Sequence, residues 1–308
     1  MELVRGLHNL APRHRGCVVT IGNYDGVHRG HQQMLAALTI CARELGLPAT
    51  VMTFEPTPRE YFEGRDAPAR LTRLREKLQA LARYHVDRVV CLRFDARFAA
   101  LGARRFEEDL LVGRLGVRHI VVGHDFRYAR AREGTTASLR AAGARFGFTV
   151  EEVPPFEIDG LRVSSSLIRA ALEAGDLSAA TRLLGRPYRI SGRVQRGERL
   201  GRKLGFPTAN LALHRNVIPL WGIFAVRVSG AGLDSHPAVA SLGTRPTIDG
   251  TVPLLEVHLF DFDGELYGRT LDVDFIARLR DEERFDSLEA LVEQMHRDAA
   301  QARRALGI

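Results

Sequence analysis

Two histidines, His28 and His31, lie three residues apart in the run Gly-Asn-Tyr-Asp-Gly-Val-His-Arg-Gly-His, which follows the apolar segment Cys17–Ile21. The run precedes a stretch with apolar residues at helical spacing, and unpaired N–H groups at a helix start attract anions. Both imidazoles can donate hydrogen bonds to such an anion, while Gly22 and Gly26 let the backbone approach it closely. A histidine pair alone is more often structural, or half of a metal site. The full run at a strand-to-helix junction therefore predicts an anion site.

A second candidate for anion binding is the run Val-Ser-Ser-Ser-Leu-Ile-Arg, in which Ser164 and Ser165 stand at a predicted helix start. Arg169 follows about one helical turn later. Hydroxyl and N–H groups at a helix start, together with an arginine, suit the phosphates of a nucleotide. A serine that only caps a helix would not need the arginine.

A third candidate is the stretch 192–210, whose four glycines and several cations make a flexible segment that can face an anion. It ends in Pro-Thr-Ala-Asn, where Thr208 and Asn210 lie on one side of an extended chain. Oxygen ligands of this type suit Mg²⁺ bound to nucleotide phosphates. The chain has no P-loop motif, since neither Lys77 nor Lys203 follows a glycine. The residues predicted to bind nucleotide in this stretch are Gly192, Gly197, Gly201, Gly205 and Pro207.

The elements that must position the first two runs alternate between short apolar segments and helical stretches, up to about Gly185. Such alternation predicts a parallel sheet covered by helices on both faces, and ligands bind beyond the carboxyl ends of its strands. The apolar segments are Cys17–Ile21, Thr50–Phe54, Arg88–Leu92, His119–Val122 and Thr149–Val153. The helical stretches between them are Gln32–Leu45, Leu71–Tyr84, Phe106–Leu115 and Ser138–Phe146.

Beyond residue 186 the apolar segments are short and separated by turn residues, which predicts a closed antiparallel sheet or barrel. These segments are Arg189–Val194, Ile223–Val228, Ala238–Leu242, Leu254–Phe260 and Thr270–Phe275. One helix, Leu288–Leu306 with Ser287 as its N-cap, ends the chain. We interpret His296-Arg297-Asp298 in this helix as solvated surface, although it resembles part of a protein-kinase catalytic loop. The predicted domains are residues 1–185 and 186–308.

The 308 residues are 45% hydrophobic and 26% charged, which is typical of a globular protein and sufficient for two domains. The net charge of +7 comes almost entirely from arginines spread along the chain, which argues against a nucleic-acid surface. No segment has the roughly 20 apolar residues that a membrane-spanning helix needs. Three cysteines without a CxxC pair are typical of reduced thiols. We therefore expect a cytoplasmic protein that binds small molecules and binds neither nucleic acid nor membranes. The sequence does not predict the oligomeric state.

The sequence resembles the bifunctional bacterial riboflavin kinase/FMN adenylyltransferase (FAD synthetase) family from about Gly16 to Arg303. In the N-terminal half the resemblance rests on the histidine and serine runs and on Thr53–Arg59 and Val122–Tyr128. In the C-terminal half it rests on the stretch 192–210 and on Trp221–Val226, Leu242–Thr247, Leu255–Leu259, Leu266–Gly268 and Arg278–Phe285.

This resemblance implies a Rossmann-like nucleotidyltransferase domain, followed by an antiparallel β-barrel riboflavin kinase domain with a terminal helix. The barrel would make FMN from riboflavin and ATP, and the first domain would make FAD and pyrophosphate from FMN and ATP, both with Mg²⁺. Glu256 would be the general base of the kinase, unless it is a strand carboxylate paired with an arginine. In the first domain His28 and His31 would stabilise charge, Asp125 and Phe126 would form the FMN pocket, and nucleotide would contact Gly22, Asp25, Gly26, Ser164, Ser165 and Arg169.

The chain departs from the family pattern at a few positions. Tyr128-Ala129 replaces the usual Phe-Gly, and an alanine is not expected to adopt the positive φ that a glycine allows there. Ser166 replaces a threonine but keeps the hydroxyl, and Ser241 stands where asparagine is frequent and receives no role. Two alternatives remain: a kinase whose first domain has lost adenylylation, and a flavin-binding regulator of RNA or of a partner protein.

Overall fold

The computed structural model describes residues 1–197, 201, 204–215, 217–247 and 250–308, with the side chains of all of these except 245–247 and 250–252. The cations Arg199, Arg202 and Lys203 of the glycine-rich stretch lie outside the described residues. The chain forms two compact units, of which the first comprises Met1–Pro68 and Thr72–Ser164 and the second Ala69–Leu71 and Ser165–Ile308. The domain boundary at residue 185 stays a prediction. No helix among the described residues is long and apolar enough to cross a membrane.

The first unit contains a six-stranded parallel sheet in the order β1-β4-β3-β2-β5-β8. Alternate residues of its strands enter two separate cores, as Val19 and Met52 do on one face and Val18 and Val51 on the other. The strands of this unit are β1 (Glu2–Arg5), β2 (Cys17–Ile21), β3 (Ala49–Glu55), β4 (Arg88–Arg93), β5 (Val117–Gly123), β6 (Arg127–Tyr128), β7 (Gly134–Thr135), β8 (Thr149–Val153), β9 (Glu157–Ile158) and β10 (Leu161–Arg162). The predicted parallel sheet is confirmed.

Helices cover both faces of this sheet. They are α1 (Arg29–Leu45), α2 (Pro58–Glu63), α3 (Leu74–Ala82), α4 (Ala96–Ala99), α5 (Ala103–Arg105) with its π-helical continuation Phe106–Arg114, and α6 (Thr136–Phe146), with 3₁₀ turns at Leu7–Asn9, Pro12–His14, Gly64–Asp66 and Arg130–Arg132. Thr57 and Thr135 cap α2 and α6, where each side chain accepts a hydrogen bond from a backbone N–H three residues later. Each of these two caps fixes the start of its helix close to the end of the preceding strand.

The second unit begins with a helical pair, α7 (Ser165–Glu173) and α8 (Leu177–Leu184), and continues as a closed six-stranded antiparallel barrel. The barrel order is β11-β12-β15-β14-β13-β16, and β11 pairs with β16 to close it. Its strands are β11 (Tyr188–Gln195), β12 (Ala209–Ala212), β13 (Gly222–Gly230), β14 (Leu233–Thr247), β15 (Gly250–Leu259) and β16 (Thr270–Arg280). The predicted barrel is confirmed.

The terminal helix α9 (Leu288–Leu306) packs against β13, β14 and β16, with Ala302 and Leu306 in the contact. Ser287 caps it as expected, because its side chain accepts a hydrogen bond from Ala290 N. The interpretation of His296-Arg297-Asp298 as solvated surface is wrong for Asp298, which is 4% exposed. Its carboxylate accepts two hydrogen bonds from Arg280, at 2.9 and 2.7 Å, and a buried carboxylate needs such a pairing.

We expect residues 186–308 to fold alone but to be less stable than residues 165–308. Helix α8 packs against β11 and β16, and each leucine side chain that it buries contributes about 1.5–3 kcal/mol. The buried residues of α8 are Leu177, Ala180, Leu183 and Leu184. Urea titration of both fragments measures the difference, and equal midpoints would show that the helical pair does not stabilise the barrel.

Candidate active sites

The histidine run lies at the carboxyl end of β2, where the chain turns into α1. His28 is the N-cap of α1, and its Nδ1 accepts a hydrogen bond from His31 N at 3.3 Å. Because Nδ1 is the acceptor, a neutral His28 carries its proton on Nε2. The capping contact therefore fixes both the orientation and the tautomer of this imidazole at the start of the helix.

The two imidazole rings stack on each other, with centroids 3.7 Å apart and planes 18° apart. The Tyr24 ring supports His31 from another side at 4.8 Å, and its hydroxyl hydrogen-bonds Thr20 Oγ1 at 2.6 Å. Burial, the charge of His28 and the charge of Lys77 lower the pKa of His31 well below its ordinary value. His31 is therefore neutral, and its buried Nδ1 has no hydrogen-bond partner among the described residues. The pair can present two N–H donors to an anion.

The loop before the histidines is fixed by Thr72. Asp25 Oδ1 accepts hydrogen bonds from Thr72 N at 2.9 Å and from its hydroxyl at 3.2 Å. Gly26 N donates to Thr72 Oγ1 at 2.9 Å, and the φ of +85° at Gly26 favours glycine. At Gly22 a Cβ would lie 3.2 Å from the Tyr24 ring. These contacts give the loop its shape, and the nucleotide contacts of Gly22, Asp25 and Gly26 stay predictions.

Asp125 and Phe126 follow β5, the neighbour of β2, so both loops leave the same edge of the sheet. Asp125 Oδ2 accepts a hydrogen bond from Arg162 Nη2 at 2.8 Å. Partial burial raises the pKa of Asp125, but Arg162, His124 and a backbone hydrogen bond together outweigh burial, so the pKa is lowered overall. The Phe126 ring stacks on Tyr128, with centroids 5.6 Å apart. An aromatic face beside a carboxylate can hold a planar heterocycle.

Ala129 overturns the expectation that alanine avoids a positive φ at this position. Its backbone has φ 65° and ψ −172°, a region that only glycine occupies readily. Both neighbours hold it there: the Tyr128 hydroxyl donates to Glu107, and Arg130 N donates to Leu101 O at 2.8 Å. The loop beside the Phe126 ring therefore keeps the glycine-like backbone and stores strain.

We expect Ala129→Gly to raise the free energy of unfolding by about 1 kcal/mol. Glycine relieves a strain of roughly 1–3 kcal/mol, while the greater freedom of the unfolded chain offsets part of the gain. Ala131→Gly is the matched control, because Ala131 has φ 50° and ψ 24°, a milder conformation for alanine. Urea titration of both variants checks this, and a destabilised Ala129→Gly would contradict the strain.

The serine–arginine run falls across the two units. Ser164 is the last residue of the first unit, whereas Ser165 begins α7 in the second. Arg169 lies within α7, and its Nε donates a hydrogen bond to Ala69 O at 2.5 Å. One edge of this guanidinium is thus bound to backbone. Phosphate binding by Ser164, Ser165 and Arg169 stays a prediction.

The second unit has a cavity of about 450 Å³ that Thr208, Asn210 and Glu256 line together. Asn210 lies opposite Glu256 in the β12–β15 pair, and Ser241 lies opposite Glu256 in the β14–β15 pair. Opposite residues on neighbouring strands project to the same face. On either side of Glu256 along β15, the buried Leu255 and Val257 project to the opposite face of the strand. We call Asn210, Glu256 and Ser241 the polar row.

Two of the predicted glycines lie against the polar row and its neighbour Thr208. A Cβ at Gly197 would be 2.6 Å from Asn210 Nδ2, and one at Gly201 would lie 3.4 Å from Thr208 Oγ1. Gly201 also lines the cavity. A side chain at Gly197 would therefore displace the Asn210 amide, whereas at Gly201 the backbone oxygen of Phe206 excludes a side chain.

The other residues predicted in this stretch have mainly structural contacts. Gly192 lies in β11, where a Cβ would be 2.8 Å from Leu211 Cβ, so packing in the barrel explains this glycine. Gly205 has a φ of +83° and Pro207 O accepts a hydrogen bond from His258 Nδ1 at 2.9 Å. Their contacts with nucleotide stay predictions.

Sequence reasoning missed several polar side chains of the cavity. Ser241, given no role, donates a hydrogen bond to Glu282 Oε1 at 3.4 Å, and burial raises the pKa of Glu282. Arg280 and Asp298 line the cavity as an ion pair. The signal in the sequence was the run Arg278–Phe285, and only the three-dimensional structure brings these residues into the lining of one cavity with Glu256.

No group of three or more histidine, cysteine, aspartate or glutamate side chains in the described part of the chain could hold a metal ion. Thr208 and Asn210 offer a hydroxyl and an amide oxygen to the cavity, and their role as metal ligands stays a prediction. Mg²⁺ accepts such a set, since it usually keeps few protein ligands and several phosphate or water oxygens.

Comparison with known proteins gives matches over both units. The family model described as FAD synthetase matches residues 10–167, and the one described as riboflavin kinase matches residues 184–306. Two proteins named bifunctional riboflavin kinase/FMN adenylyltransferase are similar throughout. The protein from Pseudomonas fluorescens is 53% identical, over 98% of this chain and 97% of its own length. The protein from Escherichia coli K12 is 50% identical, over 100% of this chain and 99% of its own length. A crystal structure described as a macrolide-efflux protein from Streptococcus pneumoniae is 32% identical with a TM-score of 0.86, over 98% of this chain and 99% of that one.

Proposed function

The chain belongs to the bifunctional riboflavin kinase/FMN adenylyltransferase family, and on this premise we propose which of its residues carry the two reactions. It has an FAD synthetase domain followed by a riboflavin kinase domain, with ATP, riboflavin and FMN as substrates. Residues 1–185 carry adenylyl transfer and residues 186–308 carry phosphorylation in this proposal. The location is cytoplasmic, in keeping with the free thiols of Cys17, Cys41 and Cys91.

Glu256 is the general base of the kinase. The observation that carries this role is its position in the cavity, between Asn210 and Ser241 in the polar row. A carboxylate there can accept the proton of the ribityl 5′-hydroxyl while that oxygen bonds to the γ-phosphorus of ATP. The bond between the γ-phosphorus and the bridging oxygen breaks, and ADP leaves.

Thr208 and Asn210 hold Mg²⁺ on the nucleotide, and the glycine stretch binds its phosphates. The close approach of Gly197 to Asn210, and the place of Gly201 in the lining of the same cavity, support the arrangement. Bound Mg²⁺ would neutralise the charge that develops on the phosphate oxygens. Thr208 and Asn210 orient the nucleotide relative to Glu256, and positioning supplies much of the catalysis of phosphoryl transfer.

His28 and His31 stabilise charge in adenylyl transfer. A phosphate oxygen of FMN attacks the α-phosphorus of ATP, and pyrophosphate leaves. That oxygen is already anionic, so the step needs no base. The two stacked imidazoles at the start of α1 donate hydrogen bonds to phosphate oxygens. Asp125 and Phe126 contact FMN, while Gly22, Asp25, Gly26, Ser164, Ser165 and Arg169 contact ATP.

One assay with labelled ATP tests these assignments against the alternatives. With riboflavin, label from γ-labelled ATP should enter FMN, and with FMN, label from α-labelled ATP should enter FAD. A chain that labels FMN but never FAD would be a kinase with an inactive first domain. A chain that binds flavin and transfers neither label would be a regulator, and the proposed reactions would be wrong.

A further inference from the structure

Lys77 is a buried cation that has no assigned role in either of the two proposed reactions. It lies on α3 in the first unit and is 1% exposed. Burial of an ammonium group costs several kcal/mol unless other groups compensate it. A fold that keeps such a charge buried beside other titratable groups is a candidate for a role in chemistry.

Its contacts lead to the histidine loop. Lys77 Nζ donates a hydrogen bond to Thr53 Oγ1 at 3.4 Å, and Thr53 Oγ1 donates to Asn23 O at 3.3 Å. Thr53 belongs to β3, which pairs with β2, and Asn23 lies in the loop between β2 and His28. The lysine is thus connected through one hydroxyl to the backbone that precedes the first histidine.

Lys77 also acts on the second histidine. Its charge contributes to the lowered pKa of His31, after burial and the charge of His28. Charges buried in protein are screened much less than charges in water, so the ammonium group adds positive potential where the imidazoles lie. It does so without taking a hydrogen-bonding position on His31, whose Nδ1 has no partner among the described residues.

We propose that Lys77 is a positioning residue for adenylyl transfer, which holds the loop of His28 through Thr53 and places a positive charge near His31. The inference rests on the proposed function of this histidine pair. With the charge in place, His31 remains a neutral donor and the phosphate oxygens gain favourable potential as negative charge develops. The effect is therefore on the rate constant more than on substrate affinity.

Lys77→Met and Thr53→Val test this in the full chain. Methionine keeps the unbranched chain without the charge, and valine keeps the shape of threonine without the hydroxyl. We expect Lys77→Met to lower kcat for FAD formation about 100-fold, with KM for FMN and ATP within about threefold of the parent. Thr53→Val should lower kcat about tenfold, a smaller loss, because it removes the hydrogen bond to Asn23 O but keeps the ammonium charge near His31. Riboflavin phosphorylation by the same samples should be unchanged.

A Lys77→Met enzyme whose kcat stays within threefold of the parent would overturn the inference, as would a change confined to KM. If Lys77→Met does not fold, Thr53→Val decides, and an unchanged kcat there would equally overturn it. His28→Asn is measured in parallel. If that variant also forms FAD normally, the assignment of the histidine site has failed, whereas normal FAD formation by the Lys77 and Thr53 variants alone refutes only the role of Lys77.

Discussion

Replacement of Glu256 by glutamine is expected to lower the rate constant of riboflavin phosphorylation by roughly 10²–10⁴-fold, the usual contribution of a positioned general base. Glutamine keeps the size of the side chain and its place between Asn210 and Ser241. It cannot accept the proton of the ribityl hydroxyl, which is a weak nucleophile at neutral pH. Riboflavin and Mg-ATP affinities should change little, and adenylylation of supplied FMN should be unaffected.

Thr208→Ala is the control for Glu256→Gln. Thr208 lines the same cavity, but its proposed contact is with the metal–nucleotide complex, so the main effect should be weaker Mg-ATP binding. Single-turnover FMN formation and calorimetric affinities distinguish the two variants. A Glu256→Gln enzyme with near-normal phosphorylation would remove Glu256 from the mechanism and leave the proton acceptor unidentified.

His28→Ala is expected to abolish FAD formation from FMN while riboflavin phosphorylation continues. Loss of one positioned donor to developing charge typically costs about 10²–10³-fold in rate. Alanine also removes the N-cap of α1, which costs about 1 kcal/mol of stability. His28→Asn separates the two effects, because asparagine is a good N-cap but lacks the imidazole.

Both His28 variants should lose adenylylation, and only the alanine variant should lose stability. Initial rates of FAD and FMN formation, measured with thermal unfolding of the same samples, provide the comparison. Parallel loss of both activities in a folded variant would contradict the assignment of the reactions to separate sites. Normal FAD formation by His28→Asn would mean that His28 serves the helix and not the chemistry.

Most of the fold follows from periodicity, and the exceptions have physical reasons. Strand β1 escaped prediction because it has only two apolar residues, Leu3 and Val4, between the charged Glu2 and Arg5 at the edge of the sheet. Asp298 was misjudged because a helix pattern does not reveal that Arg280, on β16, can pair with it. Ala129 was misjudged because propensity omits the neighbours that hold its backbone.

The arrangement of His28 and His31 was predictable because both residues lie in one run of sequence at a strand-to-helix junction. The sites were not predictable where the neighbours come from distant strands. Ser241 lies opposite Glu256 through the register of β14, and Glu282 contacts Ser241 from the segment after β16. Lys77 lies in an ordinary amphipathic helix, so its burial and its contact with Thr53 appear only in three dimensions.

The polar row limits the insertions and deletions that β15 can accept, because Glu256 must stay on the cavity face of the strand. A single residue inserted into β15 ahead of Glu256 would exchange the cavity face of that strand with its buried face. Leu255 would then face the cavity, and the Glu256 carboxylate would point into the barrel. An even-numbered insertion would preserve the faces and only move Glu256 along the strand. Insertions and deletions that preserve activity should therefore change β15 by an even number of residues, or lie in the turns between strands, where they do not exchange the two faces.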